Sequence, residues 1–277
     1  MNVTKQKDSL VVSFQFDPYI VSMMGTVEGR KYDPASKNWL VPVAQVLSLV
    51  DMLGKFGFTF SDDVIKLYKE RILFSKKIDR IKAGEFKASE LELLASLELP
   101  FYLYQKQGAG FMTVAEASLL GDQPGLGKTL QSIATTRIKK SKKILVFCPM
   151  SVKKTWQEEI EKWNPEATSV VVGGTPKQRQ EQWLQDVNYY ICNYHLLQRD
   201  LKIMRSVYWD HVIADEATNI SNPRSQTAKN LKKIRAKNKI ALTGPPLATV
   251  WRTYGQSWTG CSQGCLVPTG NSWRSIV

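Results

Sequence analysis

A glycine-rich stretch at residues 119–132, reading LLGDQPGLGKTLQS, holds the side chains best suited to chemistry. Gly125 and Gly127 let a loop bend so that its N–H groups face phosphate oxygens, and the N-terminus of a following helix adds its positive dipole end. Lys128 is then expected along the β- and γ-phosphates, and the Thr129 hydroxyl on Mg²⁺. The stretch therefore predicts a site for a magnesium-bound nucleoside triphosphate.

One position departs from the strict form of this loop pattern. Asp122 stands five residues before Gly127, where the pattern asks for glycine. The alternative reading is an ordinary glycine-rich surface turn. The apolar run before the loop and the helix-forming run after it are the context that a phosphate loop requires, and they favour the nucleotide site.

A second stretch, HVIADEAT at residues 211–218, places two adjacent carboxylates after an apolar run. Ligands of α/β sheets bind beyond the C-terminal ends of the strands. Asp215 is expected to order Mg²⁺, and Glu216 to polarise the water that attacks the γ-phosphate. Read alone, the two acids fit a charge pair at a helix N-terminus equally well. Lys128 upstream in the same predicted sheet favours the catalytic reading.

Three weaker candidates lie around these two stretches. Gln105, in YQKQGAGF, could read an adenine edge because its amide both donates and accepts. A small turn after another strand, reading ALTGPPL, could touch the same nucleotide. The start of a helix in PMSVKKTWQEEIEKW could meet a nucleic-acid backbone, although an ordinary N-cap with an exposed basic turn fits equally well. The residues of the last two candidates are Thr243 and Gly244, and Ser151, Lys153 and Lys154.

The elements that must position these residues follow from the hydrophobic pattern. Short apolar strands alternate with helices from residue 99, which predicts an α/β fold with a parallel sheet covered by helices. Residues 1–60 predict a small α+β domain, with a helix at 18–24 and another at 43–56. Residues 61–98 are charged and predict a helical linker. The expected strands of the larger domain are 118–120, 143–148, 169–172, 187–192, 211–214 and 239–243, and its expected helices are 129–139, 151–163, 175–185 and 225–234.

Composition narrows the class of protein. The 277 residues are 43% hydrophobic and carry a net charge of +13, which favours a polyanionic partner such as nucleic acid. The four cysteines fit a reducing compartment, and no apolar run approaches membrane-spanning length. We expect an intracellular monomer, located in the cytoplasm or nucleoid of a bacterium or phage, or in the nucleus of a eukaryote.

Taken in order, the motifs from about residue 99 to 247 resemble the SNF2 family of superfamily 2 ATPases, which are double-stranded DNA translocases. The resemblance implies a RecA-like lobe that uses ATP and Mg²⁺ and binds DNA. It gives Asp122 as the usual acidic residue of motif I. The other matching residues are Gln105 of the Q-motif, Lys128 and Thr129 of motif I, Ser151 and Trp156 of motif Ia, Asn193 and Tyr194 of motif Ib, Asp215 and Glu216 of motif II, and Thr243 and Gly244 of motif III.

Two positions depart from the pattern of that family. Thr218 stands where the family usually has histidine, and Pro245 where it usually has threonine, so the coupling of hydrolysis to motion is in question.

Residues 1–60 resemble the HARP domain of annealing helicases through KYDP, Trp39 and Pro42. That resemblance implies binding of forked DNA or of single-strand/double-strand junctions, with Tyr32 and Trp39 as contacts. The alternative is an accessory fold that packs on the motor.

Residues 248–277 do not read like the family's continuation. They have neither helical nor strand period, whereas the family has a helix beginning Asn-Arg-x-Glu-Asp-Leu-Trp. Codons can be chosen that encode this tail and, one nucleotide earlier, such a helix, so we hypothesise a shifted frame near residue 248; a natural alternative tail is the other reading. We also expect the second lobe to be missing. The competing function is therefore a non-enzymatic remnant that binds nucleotide and DNA without turnover.

Overall fold

The computed structural model describes residues 1–85, 97, 99–220, 222 and 224–244, and the backbone of 266–269 and 272–275. The chain forms two compact units, Met1–Asp79 and Arg80–Val277. Among the described residues, no helix is both long and apolar enough to cross a bilayer.

The N-terminal unit is a small mixed sheet with two short helices on it, as the α+β prediction required. The strands pair in the order β3-β4-β2-β1-β5, and β1 with β5 is the parallel pair. Asp17 caps the first helix by accepting from the backbone N–H of Tyr19, and Pro18 occupies its first turn. The elements are β1 Asn2–Gln6, β2 Ser9–Ser13, α1 Pro18–Met24, β3 Lys31–Asp33, β4 Asn38–Pro42, α2 Val46–Leu53 and β5 Thr59–Phe60.

The first unit extends beyond residue 60, where the sequence placed its end. The long helix α3, Asp62–Lys82, packs Val64, Leu67 and Tyr68 against the core of this unit. Its N-terminal part is therefore a structural element of the unit rather than a linker. The remainder of the predicted linker, residues 86–96 and 98, lies outside the described residues.

The second unit is a parallel α/β domain, which confirms the predicted fold class. Its six strands lie in the order β6-β11-β10-β7-β9-β8, and every pair is parallel. The strands are β6 Ala117–Leu120, β7 Ile144–Phe147, β8 Ser169–Val171, β9 Tyr189–Cys192, β10 Trp209–Ala214 and β11 Ala236–Leu242. The helices are α4 Leu103–Val114, α5 Lys128–Ile138, α6 Lys153–Trp163, α7 Pro176–Trp183, α8 Leu196–Arg199, α9 Leu201–Ser206 and α10 Gln226–Lys232.

The register of this sheet brings four strand ends together. Ala214 of β10 pairs with Ala241 of β11 and with Phe147 of β7, while Leu242 pairs with Leu120 of β6. Strands β6, β7 and β9 are buried along their whole length, as expected where helices cover both faces of a sheet. The loops that follow β6, β7, β10 and β11 therefore emerge along one edge.

Several elements were not predicted. Strands β1 and β3 and helices α4, α8 and α9 are absent from the sequence expectation, and the tail carries two antiparallel strands, β12 Leu266–Thr269 and β13 Ser272–Ser275, where no period was recognised. The rest of the tail lies outside the described residues. The shifted frame remains a prediction.

Candidate nucleotide-binding site

The glycine-rich loop joins β6 to α5, in the strand–loop–helix context that the sequence predicted. Gly125 and Gly127 have φ values of +85° and +74°, a region that favours glycine. A β-carbon at Gly125 would meet no atom within 4 Å, so this side of the loop is open. No side chain caps the first turn of α5. The loop and the helix N-terminus thus leave room for an anionic ligand.

Lys128 is the first residue of α5, and its ammonium turns back onto the loop. Nζ donates to the backbone oxygens of Asp122, at 2.7 Å, and Gln123, at 3.1 Å. Burial lowers the pKa of Lys128, and the charges of Asp122, Glu216 and Asp215 act in the opposite direction. The register of the sheet places the end of β6, which leads into the loop, and the end of β10, which precedes the acidic pair, at the same edge.

The first acid of the pair is held from several sides. Asp215 Oδ2 accepts from Trp156 Nε1 at 2.8 Å, and Oδ1 accepts from the Glu216 backbone N–H at 2.9 Å. The backbone N–H of Asp215 donates to the backbone oxygen of Phe147 at 2.7 Å, and the backbone oxygen of Asp215 accepts from the Tyr194 hydroxyl at 2.5 Å. The Asp215 carboxylate is half-buried and presented at the end of β10.

The second acid sits on a strained piece of backbone. Glu216 has a φ of +47°, a left-handed conformation that costs a non-glycine residue on the order of 1–3 kcal/mol. The Asn219 side chain and backbone N–H both donate to the Glu216 oxygen, at 2.9 and 3.0 Å, and stabilise this turn. Strain of this kind clusters at functional sites, because it aims a side chain that regular geometry would direct elsewhere.

Buried polar contacts made by Gln131 of α5 stabilise the loop. Gln131 Nε2 donates to Asp122 Oδ2 and to the Leu126 oxygen, each at 3.3 Å. Burial raises the pKa of the Asp122 carboxyl, while Gln131 and Lys128 lower it. A β-carbon on Gly108 of α4 would lie 1.9 Å from Gln131 Oε1, so only glycine leaves space for that amide. Gln131 was not identified from the sequence, because nothing in the sequence distinguishes it from the other residues of the helix that follows the loop.

Gln105 also contacts the loop, although the sequence assigned it to adenine. Its Oε1 accepts from the Tyr102 backbone N–H at 3.0 Å, and its Nε2 donates to the Leu126 oxygen at 3.3 Å. A β-carbon on Gly127 would lie 2.5 Å from that Nε2. The observed role of Gln105 is thus structural support, and the adenine contact stays a prediction.

The end of β11 brings Thr243 and Gly244 to the loop. The Thr243 backbone N–H donates to the Leu120 oxygen at 3.0 Å, and its buried hydroxyl has no partner among the described atoms. A β-carbon on Gly244 would lie 3.2 Å from Pro124 Cγ. These residues therefore sit where a rearrangement of the loop would reach them. Thr129 lies half-buried in the first turn of α5.

The residues predicted to contact DNA occupy two separate places. Ser151 and Lys154 are exposed at the start of α6, whereas Lys153 Nζ donates to the Val172 oxygen at 3.1 Å. Helix α6 begins at Lys153 rather than at Ser151, after one turn of 3₁₀ helix, and no side chain caps it. In the N-terminal unit, Tyr32 and Trp39 form a cross-strand pair with ring centroids 5.2 Å apart.

The assembled side chains fit a magnesium-bound triphosphate. Mg²⁺ prefers oxygen ligands and is commonly held by one or two carboxylates together with substrate phosphates. The Asp215 carboxylate and the Thr129 hydroxyl supply such oxygens, and the open loop at Gly125 leaves space for phosphates. The Lys128 ammonium, now bonded to neutral loop carbonyls, is a donor that a phosphate could take over.

Comparison with known proteins gives consistent matches. The SNF2-related domain matches residues 104–252, more than half of the chain. Helicase ssl-1 of Caenorhabditis elegans is 34% identical over 158 residues, which are 52% of this chain and 7% of that protein. The ISWI chromatin-remodeling complex ATPase ISW1 of Saccharomyces cerevisiae is 30% identical over 158 residues, 52% of this chain and 14% of that protein.

A solved structure also matches in part. The Sulfolobus solfataricus SWI2/SNF2 ATPase core in complex with dsDNA is 34% identical, with a TM-score of 0.49, over 53% of this chain and 34% of that one. The chain thus spans about a third of that solved chain and less than a fifth of the two curated relatives.

Proposed function

The chain belongs to the SNF2-related domain family, and on that premise we propose that it is the ATP-binding lobe of a DNA-dependent ATPase, a translocase or annealing helicase. The observation that carries the proposal is the register of the parallel sheet, which brings the loop after β6 and the acidic pair after β10 to the same edge. Ammonium, helix N-terminus and two carboxylates at one sheet edge form a donor set for phosphoryl transfer. The names of helicase ssl-1 and of the ISW1 ATPase support the same class.

Each residue has a role in this proposal. Lys128 and the loop N–H groups bind the β- and γ-phosphates, and Thr129 and Asp215 hold Mg²⁺, which when bound neutralises phosphate charge. Glu216 orients the attacking water and accepts its proton. Thr243 and Gly244 respond at the loop when phosphate leaves. Catalysis by such a site is mainly positioning and charge stabilisation.

The DNA-binding part of the proposal rests on charge and exposure. A net charge of +13 favours a polyanionic partner. Ser151 and Lys154 are exposed at the start of α6 and can meet phosphates, and Lys153 can join them if it releases the Val172 oxygen. In the N-terminal unit, Tyr32 is exposed beside Trp39 and offers a ring on which an unpaired base could stack. We propose double-stranded or forked DNA as the partner of a monomer.

Replacing Lys128 tests the nucleotide site. Lys128→Ala removes a charge-assisted contact to phosphate, so the affinity for a fluorescent ATP analogue in Mg²⁺ should fall by roughly 10–100-fold. Lys177→Ala removes an equally charged, exposed side chain from α7 and should leave the affinity unchanged. Fluorescence titration of the full chain gives both dissociation constants.

The same samples separate the two functional readings. An affinity in Lys128→Ala equal to that of wild type would reject the nucleotide site. Where wild type binds the analogue, release of phosphate from ATP is measured with and without duplex DNA. Stimulated release supports the ATPase, whereas tight binding without release on DNA supports the non-enzymatic alternative.

A further inference from the structure

Trp156 makes a direct hydrogen bond to the carboxylate proposed to hold magnesium. Its indole Nε1 donates to Asp215 Oδ2 across 2.8 Å, and the residue is only 2% exposed. An indole N–H can donate but never accept, so Oδ2 is held as the hydrogen-bond acceptor in this contact. A buried ring has little freedom to move, and the carboxylate oxygen that it holds is fixed with it.

The other contacts of Asp215 hold different atoms. Phe147 and Tyr194 bind its backbone N–H and oxygen, and the Glu216 N–H binds Oδ1. All three hold the main chain or Oδ1. Among the described residues, the hydrogen bond to Oδ2 comes from the indole of Trp156, which lies on another element 59 residues away.

Trp156 also connects this carboxylate to a second predicted function. It lies on α6 one helical turn after Lys153, and therefore about 5 Å along the helix from the predicted DNA contacts at its start. Helix α6 packs against α5, β8 and β9. A movement of α6 on a DNA backbone would carry the indole, and the indole would carry the carboxylate.

We infer that Trp156 is a positioning residue that orients Asp215 for magnesium and links this carboxylate to the DNA-facing start of α6. The inference rests on the proposed function, in which Asp215 holds the metal. Hydrogen-bond partners behind metal ligands set metal affinity, and their loss commonly costs 10–100-fold.

Trp156→Phe tests the positioning role because it removes the N–H and keeps an aromatic ring. The full chain is titrated with Mg²⁺ in the presence of a fluorescent ATP analogue, and the apparent Mg²⁺ affinity should fall by about tenfold. Binding of the analogue in EDTA should change less than twofold, since no metal is then held. The matched control is Trp163→Phe, which removes an indole bond to Glu159 from the same helix, 2.5 Å in length, and should leave Mg²⁺ affinity unchanged.

Two backgrounds make the result specific. In Asp215→Asn, the further change Trp156→Phe should have no effect on the Mg²⁺ midpoint, because the carboxylate proposed to hold the metal is gone. In wild type, saturating duplex DNA should shift the midpoint, and the shift should shrink in Trp156→Phe while duplex affinity is retained. An equal shift in both proteins would overturn the link to α6.

The outcomes distinguish the inference from the function on which it rests. If Trp156→Phe matches wild type, or if both tryptophan variants lose affinity equally, the positioning role is wrong while the Asp215 site stands. If wild type shows no Mg²⁺-dependent binding, or Asp215→Asn behaves as wild type, the proposed function itself fails.

Discussion

The two halves of the candidate site are built by different kinds of contact. On the loop side, Lys128 reaches carbonyls five and six residues away, and Gln131 reaches Leu126 within the same stretch. On the acidic side, Asp215 is held by Trp156 and Tyr194, which are 59 and 21 residues distant. The loop is thus held mainly from within its own strand–loop–helix stretch, with a further contact from Gln105 on α4, whereas the acidic pair is held by residues of other elements of the assembled sheet.

This difference indicates which kind of substitution should disturb each half of the site. The loop side requires empty space, at Gly108 for the Gln131 amide and at Gly127 for that of Gln105. The acidic side requires an intact β10 between the neighbouring strands. Filling space should therefore disturb the loop half, and loosening the sheet should disturb the acidic half.

Acidification should weaken the sheet through His211, which begins the buried run of β10 that ends at Ala214, immediately before Asp215. Its Nδ1 lies 2.9 Å from the Ser141 hydroxyl, and burial, reinforced by Lys139 and Lys237 and opposed by Asp210, lowers its pKa to about 3. The unfolded chain binds this proton near pH 6.5, so its contribution to stability is present above that pH and is lost as pH falls toward 3. Between pH 7 and 5 the loss should be about 2 kcal/mol.

The difference between the free energies of unfolding in urea at pH 7 and at pH 5 measures this contribution of His211. The pH-dependent loss should be smaller by that amount in His211→Gln, whatever the absolute stability of the variant. His195→Gln, which removes the other, exposed histidine, should keep the dependence of wild type. Parallel pH profiles for all three proteins would contradict the assignment and leave the acidic half without this sensitivity.

Filling the space beside Gln131 should have a smaller effect, on the loop half. Gly108→Ala would push the amide away from Asp122 and Leu126. The free energy of unfolding should fall by about 1 kcal/mol, the low end of overpacking costs, because the tip of Gln131 can move. Urea unfolding gives that value, and affinity for the ATP analogue should fall with it.

Gly54→Ala provides the matched control for this substitution. A β-carbon on Gly54 would meet no atom within 4 Å, and its φ of −58° suits alanine. Stability should be equal or slightly higher in that variant. Equal behaviour of the two alanine variants would show that Gln131 does not depend on Gly108.

The same contrast explains how much could be read from the sequence. The positions of Lys128, Thr129, Asp215 and Glu216 after two strand ends of one sheet edge were predictable, because each lies in a short stretch with a clear strand before it. Their catalytic roles stay a prediction. Trp156 was not predictable in its observed role, since its hydrogen bond reaches a residue 59 positions away that only the folded sheet brings near. Gln131 was not predictable either, since the space for its amide is left by Gly108 of another helix.

The prediction of some secondary-structure elements failed for comparable reasons. Helix α4 was missed because Gly108 and Gly110 lower helix propensity, although Gly108 is required there for packing. Strand β3 is three residues long and merges with turn chemistry, and β1 buries only Val3, so neither has a clear period. The six strands of the larger sheet were predicted because their apolar runs are bounded by polar loops and separated by helices.

The central claim is that Lys128, Thr129, Asp215 and Glu216 meet on one magnesium-bound triphosphate. A crystal structure of this chain with Mg²⁺ and a non-hydrolysable ATP analogue tests it most directly. We expect the Lys128 ammonium on the β- and γ-phosphates, and the metal beside the Thr129 hydroxyl and the Asp215 carboxylate. A nucleotide bound elsewhere, with the Lys128 ammonium still on the Asp122 and Gln123 carbonyls, would contradict it.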